Sequence, residues 1–243
     1  MAKLNDDWVV QPHGQLEELD DGLFTVAGEI KMPIGNFPRR MTIARLADGT
    51  TALWSPFPLD DPGMRRLEAI GAPAVLIVPG IAHRLDIRAY RSRYPQARIA
   101  CAPRARGAVE EAVPVDLVGN ALADPEVTLD TAPGVGELEA ILWVRRAGRA
   151  ALVLNDMLAN VRHPHGLGAQ IMARLFGFGV RHPQMPRIGR KMFVKDSAAL
   201  GRAFRGWAEE PGLVRVIVSH GDVIVDRPSQ VLHAIADDLD PRR

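Results

Sequence analysis

Four short apolar runs limit most strongly what this chain can fold into: Ala74–Val78, Leu138–Val144, Ala150–Leu154 and Val214–Ser219. Each is rich in β-branched or bulky apolar residues, and each is too short for an ordinary helix. Such runs read as strands buried on both faces. The first is closed by Pro79-Gly80, which do not suit the interior of a central strand. Helical patterns with a single apolar face occupy 61–70, 87–94, 197–209 and 229–239, and place helices outside the strands. Asp61-Pro62-Gly63 opens the first of these, with Pro at a position helices accept early. Asp86 is a candidate cap for the second and Ser197 for the third.

The remaining segments fix the order. Leu23–Met32 reads as a strand with an irregularity at Gly28, and Pro33–Arg40 as a loop. Met41–Leu46 and Thr50–Trp54 flank Asp48-Gly49, a strong hairpin signal. Further strands are expected at 98–102, 115–118 and 127–129, and a short helix at 106–112. A meander followed by alternation indicates an α+β fold with two sheets and helices outside, not a single doubly wound sheet. Residues 1–243 are expected to form a single domain, with 1–22 as an N-terminal extension. Residues 158–195 form an irregular, lid-like insertion, helical at 168–176.

Composition excludes several classes. Net charge is +1, so no basic excess announces nucleic acid or a membrane partner. The single cysteine, Cys101, cannot form an internal disulfide, and a cytoplasmic setting is the simplest fit. No apolar stretch approaches the roughly 18 residues of a membrane span. The polar, acidic start has no signal-peptide core.

Three strand ends carry ligand-type side chains: His83 and Asp86 after the first run, Asp156 after AALVLN, and His220 after VRVIVS. Imidazole and carboxylate are the donors that zinc, iron and manganese take in mixed sites. Rigid strand ends could hold one ion without large ordering entropy. His163 and His165 follow Asp156 closely and compete for this role, although a solvated loop accounts for them. Arg162, Arg174, Arg181, Arg187, Arg190 and Lys191 in the insertion favour an anionic ligand, although a basic solvated face accounts for them equally.

At these residues the chain resembles the metallo-β-lactamase-like, or metallo-hydrolase/oxidoreductase, superfamily over roughly 23–239. MTIARLADGTTALWSP is similar to its opening hairpin, and AVLIVPG to the strand that precedes its H-x-H-x-D-H motif. DTAPGVGELEAILWV resembles P-G-H-T-x-G-S with its following strand. LVLNDML is similar to G-D-x-L, and VIVSHGD to P-G-H-G. The resemblance implies a four-layer αβ/βα sandwich with metal at one edge between the sheets. In that pattern Asp156 stands at the bridging carboxylate and His220 at a second-metal ligand. If His83 matches the second motif His, Asp86 falls at the third. A register shifted by two puts His83 first and leaves Asp86 outside. Ile81, Leu85 and Val135 stand where the family carries ligands, so the motif is eroded.

The resulting expectation is a metal-dependent hydrolase of a small ester, thioester or phosphoester, with one divalent metal at His83, Asp86, Asp156 and His220. Zinc comes first among the candidates, with iron or manganese as alternatives. Ordinary β-lactamase turnover is not expected. The alternative is a non-catalytic descendant that binds a ligand or a protein.

Overall fold

The computed structural model describes residues 4–32, 35–164 and 166–241. Seven strands form the first sheet, in chain order: β1 (Glu17–Asp20), β2 (Leu23–Met32), β3 (Gly35–Arg45), β4 (Thr51–Trp54), β5 (Pro73–Val78), β6 (Arg98–Cys101) and β7 (Leu117–Val118). The first four are antiparallel, and β4 to β7 run parallel. The second sheet contains β8 (Val127–Thr131), β9 (Ala140–Arg146), β10 (Arg149–Leu154) and β11 (Leu213–Val218), in the order β11-β10-β9-β8. Helices α1 (Asp61–Ile70), α2 (Ile87–Arg93) and α3 (Arg106–Glu110) follow strands of the first sheet. Helices α4 (Leu167–Phe176) and α5 (Arg187–Phe193) lie in the insertion, and α6 (Ser197–Ala208) and α7 (Pro228–Leu239) flank β11.

Burial on both faces explains the apolar runs. On β9, Ala140, Leu142 and Val144 enter the core between the sheets, while Ile141 and Trp143 enter a second core. On β10, Ala151 and Val153 face inward, and Ala150, Leu152 and Leu154 face outward. The second core is completed by Leu200 and Phe204 of α6 and by Leu232, Ile235 and Ala236 of α7. Met64, Leu67 and Tyr90 of α1 and α2 join the core of the first sheet. The layers are therefore helix, sheet, sheet and helix, an αβ/βα sandwich.

Local chemistry corrects several sequence expectations. The segment read as a loop before Arg40 is strand from Gly35 onward, paired with β2 from Met32↔Gly35 to Leu23↔Ala44 without a break. Pro38 is tolerated because β4 pairs with β3 only from Thr42, so its other edge is open there. Gly28 marks no irregularity. The Phe57 ring packs on it, and a Cβ at Gly28 would lie 2.7 Å from that ring. Asp86 precedes α2 but its side chain makes no capping bond. Asp196, not Ser197, caps α6 by accepting from the Ala199 N–H at 2.9 Å. The insertion holds a second helix, α5, that its prolines concealed. Among the described residues no helix is long and apolar enough to cross a membrane.

Candidate metal centre

Strand register brings two site residues together before any side chain is considered. β10 and β11 are parallel neighbours, and Leu154 pairs with Val218. Asp156 and His220 both stand two residues beyond that pair, so they leave the sheet at the same edge. His83 arrives from the opposite sheet. After β5 the chain turns at Pro79-Gly80, and the His83 N–H donates to the Gly80 carbonyl at 3.1 Å. A Cβ at Gly80 would collide with the Glu139 carboxyl, so the turn needs glycine.

The three side chains converge. His220 Nε2 lies 3.0 Å from Asp156 Oδ1 and 3.2 Å from His83 Nε2. His83 Nε2 lies 3.4 Å from the same carboxylate oxygen. Each imidazole is held through its other nitrogen. His220 Nδ1 donates to the Pro38 carbonyl at 2.8 Å, and His83 Nδ1 meets Ser55 Oγ at 2.8 Å. In the tautomer in which both Nδ1 atoms donate, two imidazole lone pairs and a carboxylate oxygen face one another. That arrangement calls for a cation or an added proton between them.

The donor set fits a metal ion. Two ligands on a tetrahedral ion at about 2.0–2.1 Å are separated by about 3.3–3.4 Å. The observed separations of 3.0–3.4 Å are close to the edges of such a figure. Burial by itself would raise the pKa of Asp156. When the added protons are on the imidazoles, the His83 charge and the hydrogen bonds from both rings override it and hold the carboxyl well below the usual carboxylate range.

Of the four expected ligands, these three meet, and Asp86 lies outside the cluster. Its Oδ2 is 2.5 Å from Arg39 Nη1, and its Oδ1 accepts from Asn5 Nδ2 at 2.7 Å. His163 is exposed and is not in the cluster, and His165 lies outside the described residues. Ile81 and Val135 pack into the cores, and Leu85 lines the cavity.

Three supporting residues escaped the sequence reading. Ser55 holds a left-handed backbone, φ 51°, which for a non-glycine residue costs energy and fixes its hydroxyl under His83. Glu139 is fully buried, and its Oε2 accepts from Asn155 Nδ2 at 2.8 Å. Burial first, and the Asp156 charge second, push its pKa well above the ordinary value. The only sequence signal was a lone acid inside LEAILWV. Arg39 gave no signal at all, since its partner lies 47 positions away.

The cluster opens into a cavity of about 290 Å³, walled by Phe37, Leu85, Phe178, Ile188, Met192 and Phe193, with Arg39 and Asp86 at its edge. Phe37 also packs against His220, with ring centroids 4.7 Å apart.

The two packed sheets with helices outside them, and the cluster at their common edge, have the metallo-β-lactamase-like fold. Solved structures bear this out. The DIM-1 metallo-β-lactamase exposed to ceftazidime aligns at TM-score 0.62 and 10% identity, covering 95% of this chain and 99% of that one. The FIM-1 metallo-β-lactamase from Pseudomonas aeruginosa, in a mono-zinc form, aligns at TM-score 0.62 and 12% identity, covering 98% and 100%. A metallo-β-lactamase from Erythrobacter litoralis aligns at TM-score 0.61 and 13% identity, covering 92% and 96%. No protein-family model and no curated protein sequence matches the chain.

Proposed function

We propose that this protein is a metal-dependent hydrolase that holds one divalent cation between His83, Asp156 and His220. The observation that carries the reading is the convergence of three acceptor atoms within 3.4 Å of one another at a cavity wall. Such an ion, zinc first among the candidates, would supply Lewis-acid activation of water at neutral pH. The chain's own residues do the rest. Pro38 and Ser55 fix the two imidazole orientations, as outer partners of metal-ligating histidines do. Asp156 stays ionised. Burial and the Asp156 charge raise the pKa of the Glu139 carboxyl behind it, which disfavours a second negative charge there.

The chemistry of the positions where further ligands were expected supports a single ion. Ile81, Leu85 and Val135 donate no lone pair. The charge of Asp86 is already met by Arg39. The apolar walls exclude water and suit a substrate with an apolar body. The substrate class we propose is a small ester, thioester or phosphoester. The test is turnover of p-nitrophenyl acetate, an acyl thioester and bis-p-nitrophenyl phosphate, with and without chelator. Hydrolysis of at least one that chelation abolishes is expected, together with no turnover of nitrocefin. A metal-loaded protein inert toward all three ester types would leave the ligand-binding alternative.

A further inference from the structure

The net charge of +1 conceals a local imbalance. Between Asp156 and Asp196 the chain carries seven Lys or Arg and no acidic residue. This segment is the one that bears α4 and α5. Its exposed side chains are not only basic. Leu175 is 61% exposed and Ile171 56%, one turn apart on α4, with the exposed Arg174 beside them. On α5, Ile188 and Met192 are exposed one turn apart, beside Arg187 and Lys191.

The two helices form one surface. Arg187 Nη1 donates to the Leu175 carbonyl at 3.5 Å, so the end of α4 abuts the start of α5. Ile188 and Met192 also line the cavity over His83, Asp156 and His220. The mouth of the cavity therefore lies on the basic, apolar face. Exposed large aliphatic residues in such a cluster mark an interaction site.

We propose that the α4–α5 face docks on an anionic lipid surface, with the cavity mouth turned toward it. Charge complementarity selects this occupant. Lys and Arg meet anionic headgroups, while Ile171, Leu175, Ile188 and Met192 enter the headgroup–acyl boundary. A second copy of the chain fits poorly, because a two-fold contact would set like charges against like. Single-stranded nucleic acid fits poorly as well, because the exposed apolar residues here are aliphatic and offer bases no ring to stack on. Docking stands apart from the metal reading. If that reading holds, docking also narrows the substrate to an ester whose apolar tail passes from the lipid into the cavity.

The test is co-sedimentation of the whole protein with vesicles of phosphatidylcholine, or of phosphatidylcholine with one quarter phosphatidylglycerol. Binding to the anionic vesicles alone, weakened by salt, is expected. Ile171→Asp with Leu175→Asp should cut that binding by about tenfold or more, and Arg174→Glu should weaken it severalfold. All of these positions are solvent-exposed and outside the metal cluster, so melting temperature should hold. Recovery without vesicles equal to recovery with them would overturn the proposal. So would binding that neither variant changes, or a dimer in light scattering that the Ile171→Asp, Leu175→Asp variant turns into a monomer.

Discussion

Arg39→Met leaves the Asp86 carboxylate without its cation at the edge of the cavity. The pair is tight and dry: Nη1 lies 2.5 Å from Oδ2, and the side chains are 6% and 1% exposed. Among the described residues the Arg39 Nε and Nη2 atoms have no hydrogen-bond partner, so the guanidinium depends on Asp86 and on the Phe57 ring, 4.3 Å below it. Breaking a buried pair from one side costs about 3–5 kcal/mol. A chain of this size loses about 2–4 °C of Tm per kcal/mol, so Arg39→Met should lower Tm by about 6–20 °C. Asp86→Asn should cost a similar amount, since it leaves a buried guanidinium unpaired. Arg39→Met combined with Asp86→Leu removes both charges and should lose far less than the sum of the single effects, with a coupling of about 2 kcal/mol or more. Urea denaturation of chelated protein at neutral pH measures all three. Additivity to within about 0.5 kcal/mol would refute a coupled pair. Zinc affinity of Asp86→Asn should stay within about tenfold of wild type; a loss beyond about a hundredfold would place Asp86 among the ligands and refute the structural role given to it here.

Ser55→Ala removes the partner of His83 Nδ1 and should weaken zinc binding by about 10–100-fold, read by competition with a chromophoric chelator; unchanged affinity would mean that the hydroxyl does not orient the ring. Burial first, and the Asp156 charge second, raise the pKa of Glu139 from its ordinary 4.5. Its contribution to stability is therefore fully present below that value and is lost as pH rises toward the folded pKa. Chelated Glu139→Gln should lose less Tm than wild type between about pH 5 and pH 8, and parallel curves would contradict the shift. Phe204→Ala, fully buried between α6 and the second sheet, should cost about 3–5 kcal/mol in urea denaturation, and a cost under about 1 kcal/mol would contradict the packing described.

The strands around the site were legible because each faces two cores. Leu142 and Trp143 are neighbours in sequence and point into different cores, so neither position tolerates a polar residue. The first half of β3 was not legible. Gly35, Asn36 and Pro38 are loop residues by local preference, and only pairing with β2 overrides them. His83, Asp156 and His220 were readable as strand ends, because a ligand-type residue directly after an apolar run stands out. Asp86 was readable as an acid but not as the partner of Arg39, a contact made by folding β3 over the turn after β5. Ser55 and the Pro38 carbonyl carry no signal in one sequence. Their roles rest on a backbone angle and on an open strand edge, which only the fold supplies.

Zinc titration of chelated protein tests the central claim most directly. One ion per chain should bind, with a rise in Tm. At a free concentration about a hundred times Kd the gain is about 2.7 kcal/mol, or about 5–11 °C for a chain of this size. Combining Asp156→Ala with His220→Ala should abolish both the binding and the rise. A melting temperature indifferent to zinc, iron and manganese, or two ions bound per chain, would contradict a single-metal centre at His83, Asp156 and His220.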